Sequence, residues 1–207
     1  MLKNRSVQTW ARRLHIYISM ALLLVVLFFT LTGITLNRPE LFVSKTPSIE
    51  EQTLEIPSEI LFMPSSNGID KQALKEYLSS NTNLKGFPSE MDVYTELDDG
   101  ELVFGELTMS YKGPGYNASV YLDLLSHQAT IEQSDYGVIA WLNDLHKGRN
   151  SGVIWQVFID VTAVLMTLFI LTGICLILPK RKTLNLSIKW MAFGSAATAI
   201  LYWVAIP

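Results

Sequence analysis

The stretch WLNDLHKGRNSGVIWQVFIDVTAVLMTLFILTGICLIL, Trp141 to Leu178, sets a histidine and a small basic patch directly in front of a long apolar run. His146 and Lys147-Gly148-Arg149 precede 26 residues, Val153 to Leu178, whose one charged member is Asp160. About 20 such residues are enough to cross the hydrocarbon core of a bilayer as a helix. A weaker copy opens the chain. His15 is followed by an apolar run ending Thr30-Leu31-Thr32-Gly33-Ile34, against Ile170-Leu171-Thr172-Gly173-Ile174 in the later stretch. The pattern predicts two spanning helices, each entered through a histidine and each closing on Leu-Thr-Gly-Ile.

The apolar residues fall in three blocks, Ile16 to Leu36, Val153 to Leu178 and Ile188 to Ile206. The charges are equally segregated. Of 19 acidic residues, 18 lie between Glu40 and Asp144, where the basic residues number only five (Lys45, Lys71, Lys75, Lys85 and Lys112), a local net charge of −13. The overall −3 therefore describes no part of the molecule. The single cysteine, Cys175, lies inside an apolar run, so no intrachain disulfide forms and the residue is read as packing.

Residues 1–13 hold Lys3, Arg5, Arg12 and Arg13 ahead of the first apolar block. That block is too long for a secretory signal and ends in Asn37-Arg38-Pro39 with no small-residue cleavage pattern, so it reads as an uncleaved anchor. Basic flanks favour the cytoplasmic side, which puts residues 1–13 inside; Lys180-Arg181-Lys182 and Lys189 mark a second inside loop at 179–187. The expected order is a first span at 14–37, an outside domain at 38–140, an outer-edge helix with the second span at 141–178, and a third span at 188–206. In a bacterial cell this places the acidic segment in the periplasm and the spans in the inner (cytoplasmic) membrane. The third span carries Gly194, Ser195, Ala196, Ala197 and Ala199, and small residues let helices approach closely in lipid.

The outside segment reads as a helix packed on an antiparallel sheet. Asp70 opens a helical pattern, DKQALKEYLSS, with Ala73, Leu74, Tyr77 and Leu78 on one face. Strands are expected at 91–95, 101–109, 118–124 and 130–132, divided by Asp98-Asp99-Gly100 and Gly113-Pro114-Gly115. Residues 40–66, with Pro47, Pro57 and Pro64, read as an extended connector with an edge strand near Leu54 to Ile56. The fold class is thus an α+β membrane protein with three transmembrane helices and a small helix-plus-antiparallel-sheet domain.

With that layout, the chain resembles the PepSY-associated transmembrane proteins. The residues that carry the likeness are Arg13-Leu14-His15, Val120-Tyr121-Leu122-Asp123 and its turn, Asp144-Leu145-His146-Lys147-Gly148-Arg149, Asp160 and both Leu-Thr-Gly-Ile segments, together spanning about residues 10 to 178. The family includes haem-binding inner-membrane proteins implicated in reducing ferric iron or ferric siderophores. PepSY modules elsewhere resemble protease-inhibitory propeptide domains. One departure is the turn after Tyr121-Leu122-Asp123, where relatives carry proline or glycine and this chain has Leu124-Leu125-Ser126-His127.

The resemblance implies that His15 and His146 are axial ligands to haem iron, a role that a neutral imidazole suits. Interfacial histidines beside basic anchors are the alternative. At 1.5 Å per residue the first apolar block spans roughly 30 Å, so His15 lies at the inner face and His146 at the outer, and one iron cannot take both from one chain. Either each histidine finds a second ligand in another subunit, such as the partner in a homodimer, or one site alone bears haem, or an iron is five-coordinate. Lys147 and Arg149 are candidates to pair with haem propionates. Asp160, roughly 10 Å into the apolar layer, is expected to be protonated or paired. It is a candidate for hydrogen bonding to Thr30, Thr32 or Thr35, for orienting a cofactor, or for relaying a proton in catalysis. His127 reads as a solvated turn residue.

A glycine-rich phosphate loop, a CxxC and a paired nucleophile and base are absent, and the 179–187 loop is too short for a flavin or nicotinamide domain. The expected activity is that of a haem b electron-transfer protein. It would take electrons from quinol or a cytoplasmic donor and reduce ferric iron or a ferric chelate outside, with no nucleic-acid partner. The rival expectation, from a different class, is a cofactor-free anchored domain that binds and regulates a periplasmic partner.

Overall fold

A computed structural model of the chain describes residues 4–43, 46–61, 69–99 and 101–206; Lys3, Lys45, Pro64 and Gly100, used in the sequence reading, lie outside them. In chain order the elements are α1 (Arg5–Asn37), α2 (Pro39–Phe42), β1 (Ser48–Glu55), α3 (Ser58–Leu61), α4 (Lys71–Asn81), β2 (Phe87–Pro88), β3 (Asp92–Asp98), β4 (Glu101–Gly113), β5 (Tyr116–Asp123), β6 (Gln128–Asp135), α5 (Gly137–Lys147), α6 (Gly152–Ile177) and α7 (Arg181–Ala205). The chain forms two compact units: residues 1–28 with 158–207, and residues 29–157.

Three helices, α1, α6 and α7, are long and apolar enough to cross a membrane. Their boundaries follow from local chemistry. Pro39 disfavours helical backbone at Arg38, where α1 stops. Three left-handed residues, Gly148, Asn150 and Gly152, separate α5 from α6. Pro179 follows the end of α6, and α7 starts at Arg181, ahead of the apolar block that begins at Ile188.

The second unit is built on a six-stranded antiparallel sheet in the order β1-β6-β5-β4-β2, with β3 also paired to β4. Along β5 burial alternates, so Tyr116, Ala118 and Val120 face the core while Asn117, Ser119 and Tyr121 face out. This is the period-2 pattern of a sheet with one face covered. Leu74 and Leu78 of α4, with Ile56 and Leu61, cover that inner face. The start of α4 is fixed by the Asp70 carboxylate, which accepts the Gln72 and Ala73 N–H groups at 3.2 and 3.0 Å. The strand at the edge is longer than Leu54 to Ile56: β1 pairs with β6 in an unbroken ladder from Ser48↔Asp135 to Glu55↔Gln128.

Two turns carry the sheet's specificity. After β5, the Asp123 carboxylate accepts the Leu125 and Ser126 N–H groups at 2.8 and 3.3 Å, and His127, half-buried, takes φ 57°. An Asx turn closed in this way works without proline or glycine. Those two N–H groups also hold the Asp123 carboxyl below the usual carboxylate range. Between β4 and β5, Pro114 and Gly115 make a two-residue turn, with Gly115 at φ 61°. A Cβ at Gly115 would meet the Trp141 backbone nitrogen at 2.6 Å, so the hairpin tip lies directly on α5.

Glycine at 115 is therefore required twice, by its φ and by its contact, whereas Gly137, at φ 82°, has nothing within 4 Å of a Cβ position. Gly137→Ala is expected to cost about 1 kcal/mol, the conformational penalty alone. Gly115→Ala should cost roughly 3 kcal/mol or more, since an overpacking cost is added. Thermal unfolding of both variants, followed by circular dichroism in detergent, checks this; equal shifts would show that the hairpin does not bear on α5.

Candidate functional site

Each unit holds one histidine seated on a Phe-x-x-Thr-Gly face of a neighbouring helix. In the first unit the seat is on α6. Phe169, Thr172 and Gly173 are spaced i, i+3, i+4 and so share one face of the helix. The His15 ring stacks on Phe169, with centroids 4.4 Å apart and planes 14° apart. Its Nδ1 lies 3.0 Å from Thr172 Oγ1 and 3.1 Å from the Phe169 carbonyl oxygen. A Cβ at Gly173 would stand 3.3 Å from His15 Cε1, so the absent side chain is what lets the ring settle there.

In the second unit the seat is on α1, and the same residue types recur. His146, in the last turn of α5, packs edge-on to Phe29 at 5.0 Å, and its Nδ1 lies 2.6 Å from Thr32 Oγ1. A Cβ at Gly33 would be 3.7 Å from His146 Cε1, an ordinary contact. One helical turn earlier on α5, Asn143 is buried and accepts the Thr35 hydroxyl at 2.6 Å. The opposite face of α5 is held by the sheet: the Asp144 carboxylate accepts the Gly115 N–H at 2.9 Å. The Trp155 indole donates to the Leu145 carbonyl at 2.8 Å, which ties the start of α6 to the end of α5.

The hydrogen bonds constrain the ring nitrogens. A carbonyl oxygen only accepts, so His15 must donate from Nδ1 to Phe169. The Thr172 hydroxyl proton is directed at the Leu168 and Phe169 carbonyls, 2.9 and 2.8 Å away, which leaves its oxygen to accept from His15. Thr32 has two places for its proton, the Phe29 carbonyl at 3.3 Å and His146 Nδ1 at 2.6 Å, so this bond alone leaves the His146 tautomer open. In a neutral ring an Nδ1–H donor, as at His15, leaves Nε2 as the lone pair. That is how histidine is held when Nε2 binds a metal. For His146, desolvation first and the charge of Lys147 second push the imidazole pKa below its ordinary 6.5, which favours the neutral ring.

Both histidines are legible in the sequence, but their seats are not. Each closing Leu-Thr-Gly-Ile serves the histidine that precedes the other span, so the pairing is crosswise; the shared Phe at 29 and 169 was the unused signal. Lys147 and Arg149 are exposed, and Arg149 lines a concavity with Lys112 and Asp144. Asp160 is exposed on α6 and makes no hydrogen bond among the described residues. Two of its expected partners are employed elsewhere, Thr32 at His146 and Thr35 at Asn143. Among the described residues no three His, Cys, Asp or Glu side chains converge as a metal-ion cage.

These features define a membrane protein with three spanning helices and an antiparallel sheet domain placed in the chain between the first and second. The chain belongs to the PepSY_TM-like family, whose profile it matches over residues 9–207, a range that takes in both histidine seats. No curated protein and no solved structure matches it.

Nitrogen-15 spectra of the imidazoles test the seats directly. A neutral His15 is expected as the Nδ1–H tautomer, and His146 should titrate below 6.5; an Nε2–H form at His15 would overturn the donor assignment. Because the folded-state pKa of His146 is depressed, the unfolded chain takes up the proton first as pH falls. Its contribution therefore costs nothing above about pH 6.5 and lowers stability progressively below it.

Proposed function

We propose that the protein is a haem-bearing electron-transfer protein of the bacterial inner membrane, which passes electrons outward and reduces ferric iron or a ferric chelate in the periplasm. The observation that carries this reading is the recurrence of one arrangement around both histidines: Nδ1 tied to a threonine on a spanning helix, Nε2 without a hydrogen bond among the described residues. A bare metal ion asks for three or more protein ligands. An iron already held by a porphyrin asks for one or two, which a single seated histidine meets.

In this reading His15 and His146 hold separate haem b groups. The seating on Phe169 and Phe29 fixes each ring's plane, and the threonines hold each Nδ1. When bound, haem b supplies one-electron exchange between its ferric and ferrous states. Lys147, in the last turn of α5 beside His146, provides a cation for a propionate. Quinol or a cytoplasmic donor supplies the electrons, and residues 1–13 lie inside, as their basic charge favours. The sheet domain, with its −13 charge, attracts ferric cations by long-range steering. Asp160 relays a proton within the membrane, and a second copy of the chain is the natural neighbour for its exposed face.

Haem per polypeptide, measured for the wild type, His15→Ala, His146→Ala and the double variant, tests the assignment. Each single variant should lose part of the haem, the double variant should be colourless, and each should abolish reduction of an external ferric chelate. Full haem in the double variant would overturn the proposal in favour of a cofactor-free anchored domain that regulates a partner.

Asp160→Asn keeps the shape and hydrogen-bonding capacity of the side chain but removes its proton. Haem content should stay at the wild-type level while ferrous iron formation slows about a hundredfold, the lower end of what losing a proton-transfer group costs. An unchanged rate would leave Asp160 as packing polarity.

A further inference from the structure

The sheet unit carries a second chemically distinctive surface at the end where the chain passes into α6. The Phe87 ring touches Gly152, the first residue of α6: a Cβ there would lie 2.9 Å from Phe87 Cζ. Phe87 is paired across the ladder with Lys112 of β4, and the hairpin that follows Lys112 rests on Trp141. Phe87, Trp141 and Val138 are 56%, 46% and 68% exposed. Of these, Phe87 stands beside the first turn of a spanning helix, the position interfacial aromatics occupy.

Between the hairpin and the α5–α6 junction lies a concavity of about 510 Å³, lined by Lys112, Asn117, Tyr136, Asp144, Arg149 and Asn150 among others. Its carboxylate, Asp144, is engaged by the Gly115 N–H. Neither Lys112 nor Arg149 makes an ion pair among the described residues, although residues 40–145 carry a net −13. The adjoining concavity places Lys85 with Trp141, and its one carboxylate, Asp135, accepts the Gly137 N–H at 2.8 Å. In a strongly acidic domain, Lys112 and Arg149 thus line one concavity whose carboxylate, Asp144, is occupied by backbone, while Lys85 lies over the Tyr116 ring with Glu50 and Asp135 near it.

We propose that this rim binds the headgroup of an anionic phospholipid, with Lys112 and Arg149 on the phosphate, Lys85 beside them, and Phe87, Trp141 and Val138 in the interfacial layer. Arg149 stands three residues before the start of α6, which sets it at headgroup depth when α6 spans the bilayer. A guanidinium matches two phosphate oxygens at once, and the open concavity beside Lys112 leaves room for the group. The inference rests on α6 crossing the membrane and not on haem.

Native mass spectrometry of the full chain, titrated with phosphatidylglycerol or with phosphatidylcholine, tests it. Phosphatidylglycerol should bind preferentially. Lys112→Gln and Arg149→Gln should each weaken it about fivefold and together roughly thirtyfold, in line with the contribution of one cation near a charged surface. Lys75→Gln, on α4, should leave it unchanged. The same preference should persist in the colourless His15→Ala, His146→Ala variant, which separates this surface from the haem assignment. Equal binding of the two lipids, or undiminished binding in a folded Lys112→Gln, Arg149→Gln variant, would overturn the proposal. So would displacement of the lipid by submillimolar inorganic phosphate, which would mark a free-anion site. Should the double variant fail to fold, the wild type decides: its preference must collapse as ionic strength rises from about 0.1 to 1 M, where the screening length shrinks from about 10 to 3 Å.

Discussion

An imidazole brought against an apolar spanning helix needs an acceptor for its N–H, and a helix whose carbonyls are already bonded offers few. Threonine solves this locally. Its hydroxyl proton folds back onto a carbonyl of the preceding turn, and its oxygen then faces outward with a lone pair to give. The next residue must be small enough for the ring to reach that oxygen, and one turn back an aromatic ring can set the imidazole's plane. Phe, Thr and Gly at i, i+3 and i+4 meet these conditions on α6 and again on α1. The protein's polar chemistry inside its apolar segments depends on this small device, used twice.

The second seat asks more of the fold than the first. His15 belongs to a spanning helix already, whereas His146 sits on α5, a short helix whose position comes from elsewhere. Asn143 binds it to α1 on one side, and Asp144 binds it to the β4–β5 hairpin on the other. The burial of the sheet against α4 therefore has a consequence beyond its own stability: it gives the hairpin tip a fixed place from which to hold α5. The same tip, with Lys112 on one side and Trp141 beneath, brings the cationic rim to the start of α6.

Much of this was legible because the signals were local. Three apolar blocks announced three long helices, Asp70 and its i, i+3, i+4 pattern announced α4, and Gly113-Pro114-Gly115 announced the hairpin. What escaped was set by tertiary neighbours. β1 is almost entirely exposed, so Ser48 to Glu55 shows no alternation to read, and its length is dictated by the β6 ladder alone. The histidines stood out through the repeated Leu-Thr-Gly-Ile, but sequence order pairs each with the wrong copy, since antiparallel helices bring the beginning of one beside the end of the other. Asn143 gave no signal, as a lone asparagine in a helical pattern reads as solvated until its threonine partner is known.

The two faces of α5 also constrain how this chain can change length. Asp144 and His146 are two residues apart, about 200° around a helix of 3.6 residues per turn, and each is anchored to a different neighbour. Inserting or deleting one residue between them would rotate one anchor by about 100° relative to the other, and no side-chain substitution restores that phase. Substitution can be absorbed in this helix; a frame change cannot. A residue added between Leu125 and Ser126, outside α5, leaves the spacing of Asp144 and His146 unchanged and so keeps both anchors in phase.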